Sequence, residues 1–365
     1  MNEFVNRVVE RAIQIQQIPA PTFHEQKRAE FVHDLFSTEG LDDLCLDEAG
    51  NVFGRWAGQG TGKPLIVSAH LDTVFPMETT LRVTRGSDLI HGPGLGDNSL
   101  GVAALFGLLW SLRERGIQPR GDIWFVANVC EEGLGDLRGM KAVVERFGAD
   151  VHAYLVLEGL ALGHVYHRAV GVKRFRVTAR TSGGHSWSDY GQPSAVHELA
   201  KLVVELASLS LPPYPRTTMN VGRISGGTSV NVIAPEASLD LDLRSENQET
   251  LTALVSAVER LIQKANRTGV GFDAQVIGQR PAGEIPVRHP LVILAKQCLE
   301  ELGLDAGLIS GSTDANVPLS KGYPAIVLGI TTGGSAHTIH EYINTKPIAL
   351  GMEQLVSFVK RAWGS

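Results

Sequence analysis

Cysteine is scarce in this chain of 365 residues: Cys45, Cys130 and Cys298 are its only three. Three scattered thiols do not make a disulfide framework. They exclude a small stapled scaffold and lead us to expect reduced thiols in a cytoplasmic protein. Runs of lysine and arginine are missing, and the formal net charge is -6, so no nucleic-acid partner is expected. No apolar stretch reads as long enough to span a bilayer. The opening MNEFVNRVVERAIQIQQIP reads as an amphipathic helix and lacks the unbroken apolar core of a signal peptide, so no membrane partner is expected. What the chain does have is the balance of an ordinary globular protein, 43% hydrophobic and 20% charged, with ample material for a core. Its length suggests two domains, or one large domain carrying an insertion.

The pattern along the chain supports the insertion. Helical stretches at about 3–17 and 24–38 precede strand candidates at 44–48, 51–56 and Leu65–Ala69. The run NSLGVAALFGLLWSLR, residues 98–113, is apolar nearly all round and predicts a buried helix. A strand at 121–128, a helix near 138–146 and a strand at 153–157 follow. Alternating strands and helices predict a mainly parallel sheet with helices on both faces. Near 166 the pattern changes to strand, helix, two strands, helix, strand, which is a ferredoxin-like unit. In EASLDLDLRS, Leu239, Leu241 and Leu243 share one side while Asp240, Asp242 and Arg244 share the other, a strand with one wet face. A helix at 290–302, a strand at 325–329 and a helix at 347–362 resume the first pattern. The expected division is therefore 1–166 and 282–365 as one α/β domain, interrupted by an α+β domain at 167–281.

Five clusters carry chemistry, each at or just after a predicted strand end, where ligands of open α/β sheets gather. They are Ser68-Ala69-His70-Leu71-Asp72, Gly92-Pro93-Gly94-Leu95-Gly96-Asp97, Cys130-Glu131-Glu132-Gly133, Leu157-Glu158-Gly159 and Ala336-His337-Thr338-Ile339-His340-Glu341. In the first, His70 can bind a metal through one ring nitrogen while Asp72 accepts the other N–H, fixing the tautomer. The adjacent carboxylates Glu131 and Glu132 repel each other unless a cation is present. One can bind it while the other moves protons. Either His337 or His340 can be a ligand, and spacing alone does not choose. Each cluster also has an ordinary reading, as a surface turn, a helix cap or a solvated acidic loop.

Taken together and in order, these motifs resemble the dinuclear zinc hydrolases that include aminoacylase, acetylornithine deacetylase, succinyl-diaminopimelate desuccinylase, carboxypeptidase G and peptidase T. The resemblance runs over nearly the whole chain. It implies a zinc-exopeptidase-like catalytic domain with an inserted lid and dimerisation domain. His70 and Glu158 would bind one metal and Glu132 and His337 the other, with Asp97 bridging both. His337 is favoured over His340 because the family's histidine commonly lies four residues before a glutamate, here Glu341. Glu131 would be the general base and Asp72 the partner of His70, and a cis peptide is implied at Asp97-Asn98. In the inserted domain, His185, Asn231 and Arg244 resemble substrate-binding positions. Two zinc ions are expected, with cobalt or manganese able to replace them; three carboxylates and two neutral imidazoles suit such ions. The expected substrate is a small peptide or N-acyl amino acid, and the expected assembly is a homodimer.

The glycine motif departs from the family where an arginine and a lysine are frequent; Pro93 and Ser99-Leu100 stand there. Glutamate at 158 is what the family's acylases and carboxypeptidases carry, where its aminopeptidases tend to have aspartate. An aminopeptidase of the other dinuclear type is disfavoured by the large insertion. A non-catalytic binding protein on the same fold is disfavoured because every ligand position and the base position are filled.

Overall fold

The computed structural model describes residues 3–364 and divides into two compact units, 1–169 with 284–365, and 170–283. The seams fall at 169/170 and 283/284 rather than the expected 166/167 and 281/282. The reason is a strand, His164–Ala169, that stays in the first unit's sheet by pairing antiparallel with Ala325–Gly329 and parallel with Gly307–Gly311. Both pairings are remote in sequence.

In the first unit, four strands lie side by side and parallel in the order Ile123–Asn128, Leu65–His70, Ala153–Glu158, Ala325–Gly329. They are buried nearly throughout, which is why they read as unbroken apolar runs. Val52–Trp56 and Asp42–Leu46 extend one side antiparallel, so the sheet is mixed around a parallel centre. Helix Gly101–Glu114 is buried from Gly101 to Leu112. By length and composition, 95–114 could cross a membrane, contrary to the expectation that no stretch could. An 18-residue window of it is 94% buried within the protein, as a core helix is.

The chain leaves and re-enters this unit at one place. Ile285 N–H donates to the His167 carbonyl at 3.1 Å, and His167 Nδ1 lies 2.8 Å from the Ile285 carbonyl.

The second unit has four antiparallel strands in the order Thr217–Gly226, Glu236–Ser245, Gly171–Thr181, Val270–Arg280, the ferredoxin-like order. Helices Ala195–Ala207 and Gln248–Ala265 cover one face, burying Leu199, Leu202, Leu254 and Val258 against Val177, Leu239 and Leu241. On the other face, carboxylates of one strand sit opposite arginines of the next: Asp240 with Arg176, Asp242 with Arg174, Glu236 with Arg180.

Candidate metal centre

The parallel strands end on one edge, and their carboxyl ends supply the site. His70 and Glu158 are the last residues of their strands, and Glu131 and Glu132 follow Ile123–Asn128 by three and four residues. His337 arrives from a hairpin whose arms, Gly333–Gly334 and Tyr342–Asn344, pair with each other while the second arm pairs with Leu89–His91. That pairing sets the hairpin beside the glycine-rich loop carrying Asp97.

Asp97 stands between two donor sets. Its Oδ1 is 3.1 Å from His70 Nε2, which is itself 3.8 Å from Glu158 Oε2. Its Oδ2 is 3.0 Å from His337 Nε2, which is 2.9 Å from Glu132 Oε1. Within each trio, His70–Asp97–Glu158 and Asp97–Glu132–His337, one ligand atom per residue lies within 4.8 Å of the others. A third trio, His70–Glu131–Glu132, meets the same criterion and brings Glu131 to the same place. His340 joins none of these trios, so geometry selects His337. Two imidazoles and three carboxylates, one of them shared, are the nitrogen and oxygen donors a pair of divalent ions requires.

Electrostatics point the same way. Burial opposes ionisation of Asp97, but hydrogen bonds from His337 and His70 outweigh it and hold the carboxyl well below its usual range. Hydrogen bonds to Asp97 and Glu132 push His337 up to about 10. Burial raises Glu158 well above an ordinary glutamate, and neighbouring carboxylates add to the shift. In the metal-free protein, protons thus balance an acidic cluster that cations would otherwise balance.

Asp72 departs from its expected contact. His70 Nδ1 is 3.0 Å from the Asp72 main-chain oxygen and 3.6 Å from its carboxylate. The tautomer is held, but chiefly by the backbone. The carboxylate instead accepts the N–H groups of Glu131 and Glu132 at 2.9 and 2.8 Å and the Thr22 hydroxyl at 2.8 Å. It is fully buried, and these three donors hold it against the loop that carries Glu131 and Glu132.

Sequence reading missed the residues that fix these loops. Asn98 donates to the Leu157 carbonyl at 2.9 Å and accepts from Gly159 N–H at 2.8 Å, bracketing Glu158. A Cβ on Gly159 would lie 2.1 Å from the Gly96 carbonyl oxygen, so only glycine lets the two loops meet. The Asp97-Asn98 peptide is cis, as the resemblance implied. Glu25 accepts Cys130 N–H at 3.0 Å.

Behind the site Arg28 is fully buried, donating to the carbonyls of Ile18 at 2.8 Å, Leu71 at 2.7 Å and Gln16 at 3.3 Å. Burial lowers its pKa to about 10, against the pull of Asp72 and Glu25, so it stays charged at neutral pH. Arg28→Met would leave those carbonyls unsatisfied, at about 1–3 kcal/mol each. We expect a loss of about 3 kcal/mol or more in urea unfolding of the metal-free protein, and a loss under 1 kcal/mol would refute this role.

The inserted unit's three candidates have defined local geometry. His185 Nδ1 accepts the N–H groups of Trp187 and Ser188 at 3.2 and 3.4 Å. Its neutral ring therefore carries the proton on Nε2. Ser186 N–H donates to the Asn231 carbonyl at 3.0 Å, so His185 and Asn231 lie on neighbouring turns. Asn231 is exposed, and its Oδ1 accepts the Ser229 hydroxyl. Arg244 is half-exposed and donates to Asp242 at 2.7 Å.

A model described as peptidase family M20/M25/M40 matches residues 66–361. The uncharacterized protein YqjE of Bacillus subtilis is 24% identical, over 96% of this chain and 95% of its own. The crystal structure of a tripeptidase from Staphylococcus aureus superposes with a TM-score of 0.85 at 22% identity, covering 99% of both chains. The Bacillus subtilis YXEP protein, described as a dinuclear metal binding peptidase of the M20 family, gives 0.70 at 16% identity and 98% coverage of both. These structural likenesses carry the fold, and the family model spans every residue of the two donor sets. The chain therefore belongs to peptidase family M20/M25/M40 and is a metal-dependent hydrolase of peptide or amide bonds in small substrates.

Proposed function

We propose that this hydrolase uses two zinc ions to cut the terminal amide bond of an N-acyl amino acid or short peptide. The observation that carries the proposal is Asp97, whose two carboxylate oxygens each face a separate histidine–glutamate pair. Divalent ions bound there would polarise a carbonyl and acidify water. Glu131, 5% exposed and beside both donor sets, takes the proton of the attacking water and returns it to the leaving nitrogen. Asp72 holds Glu131 in place through its main-chain N–H. His185 offers Nε2–H to the oxygen on which charge develops. Asn231 offers its amide N–H groups to the substrate. Arg244, aligned by Asp242, receives a substrate carboxylate, which accounts for action at a chain end. Glutamate rather than aspartate at 158 favours a deacylase or carboxypeptidase over an aminopeptidase. Zinc is preferred for the mixed imidazole and carboxylate donors, with cobalt or manganese able to replace it. The reading includes a homodimer formed through the inserted unit and a cytoplasmic setting. The setting is supported by three cysteines without disulfide partners.

The test is a panel of N-acetyl amino acids, free-amine dipeptides and tripeptides, assayed with metal analysis and gel filtration. N-acyl or carboxyl-terminal substrates should exceed free-amine tripeptides in kcat/KM by at least tenfold. Preference for the tripeptides would overturn the substrate class. Full metal loading with no turnover on any compound would favour a binding protein.

A further inference from the structure

Glu341 is completely buried and belongs to neither donor set. Its Oε1 accepts Gly96 N–H at 2.6 Å and Asp97 N–H at 2.8 Å, and its Oε2 accepts Gly94 N–H at 2.9 Å. Its main-chain oxygen accepts a fourth, Gly92 N–H, at 2.9 Å. One residue thus gathers four amides of the loop that ends in Asp97, and it lies four residues after His337. Burying a carboxylate is costly unless its lone pairs are occupied; here three converging N–H dipoles occupy three of about four acceptor sites. Gly94 takes a left-handed φ of 70° within this loop, a conformation that lets successive N–H groups converge on one anion.

From this geometry we propose that Glu341 is the positioning residue that turns the two oxygens of Asp97 toward separate metal ions. The inference rests on the reading of Asp97 as the shared ligand. Without the clamp, the loop can rotate Asp97 away from His70 or from His337, and the centre loses its second ion first. Its neighbour Asn98 brackets Glu158, so the disturbance passes on to that ligand.

Two variants test this, Glu341→Gln and Glu341→Asp. Glutamine keeps the shape but turns an NH2 group toward one of the three donors. Aspartate keeps the charge but is one methylene short of spanning Gly94 and Asp97. Amide hydrogen exchange over 92–97 in the metal-free protein should accelerate by at least tenfold in either variant. Zinc or cobalt titration should show about 10- to 100-fold weaker binding of the second equivalent. The kcat should fall and recover as metal concentration is raised, with KM little changed. Wild-type exchange and wild-type second-ion affinity in a folded variant would overturn the proposal. So would a lowered Tm accompanied by unchanged metal affinity and kcat. If the unaltered protein takes up no metal, the reading of the site fails. The exchange measurement then still decides whether Glu341 holds the loop.

Discussion

Glutamine in place of Glu131 should leave the metal content unchanged and lower turnover by about 10²- to 10⁴-fold, the usual contribution of a positioned acid–base group. The variant is informative because so little else changes. Glu131 is nearly buried, and its main-chain N–H is held by Asp72 at 2.9 Å, so the carboxamide occupies the same place. It lies beside His70 and Glu132 without belonging to the two trios that share Asp97. What is lost is a site for a proton. The decisive measurement pairs metal content with kcat on one preparation. Full turnover with both ions present would refute the assignment of the base, and lost metal would make Glu131 a ligand instead.

Removing the shared carboxylate should have a still broader effect. Asp97→Ala should bring metal content from two ions per chain to below one, with activity at background. His337→Ala should stop at about one ion, because His70 and Glu158 remain. Saturating metal should stabilise the unaltered protein by about 4 kcal/mol at a thousand times Kd, and Asp97→Ala should lose that gain in thermal unfolding. Binding should also release protons. His337 sits at about 10 in the metal-free protein, held there by hydrogen bonds to Asp97 and Glu132. An ion must displace that proton at neutral pH, so affinity should climb as pH rises toward about 10. Calorimetry in two buffers of different ionisation heat reads the proton count directly. Equal metal content in Asp97→Ala and the unaltered protein would sink the idea of a shared ligand.

The donor residues were legible because the central strands are buried on both faces. Such strands read as apolar runs, and a histidine or glutamate closing one is conspicuous, as in LIVSAH and AYLVLE. The insertion was legible from the change in periodicity, but its first seam was misplaced by three residues and its second by two. His164–Ala169 alternates like the strands of the second unit, while its partners lie about 140 to 160 residues away. The strand Gly307–Gly311, GLISG, was missed altogether: it has no alternation and is bounded by glycines. The supports of the site were the least visible. Arg28 sits in an ordinary amphipathic helix and Thr22 and Glu25 in the turn before it, and nothing local says that these polar groups face inward. Asp72 was visible, but the atom that touches His70 was not, since one residue offers both a carbonyl and a carboxylate. Glu341 carried one signal, its distance from His337, which served to choose between two histidines but gave no role to the glutamate until the glycine loop is seen folded around it.

The chain leaves the first unit after Ala169 and returns to it at Glu284. Because His167 and Ile285 hydrogen-bond to each other across this seam, the first unit is already joined where the chain leaves and re-enters it. Extra sequence spliced in there adds little entropic burden to that half. The intervening module can therefore diverge, expand or be exchanged while the ion-binding loops stay as they are.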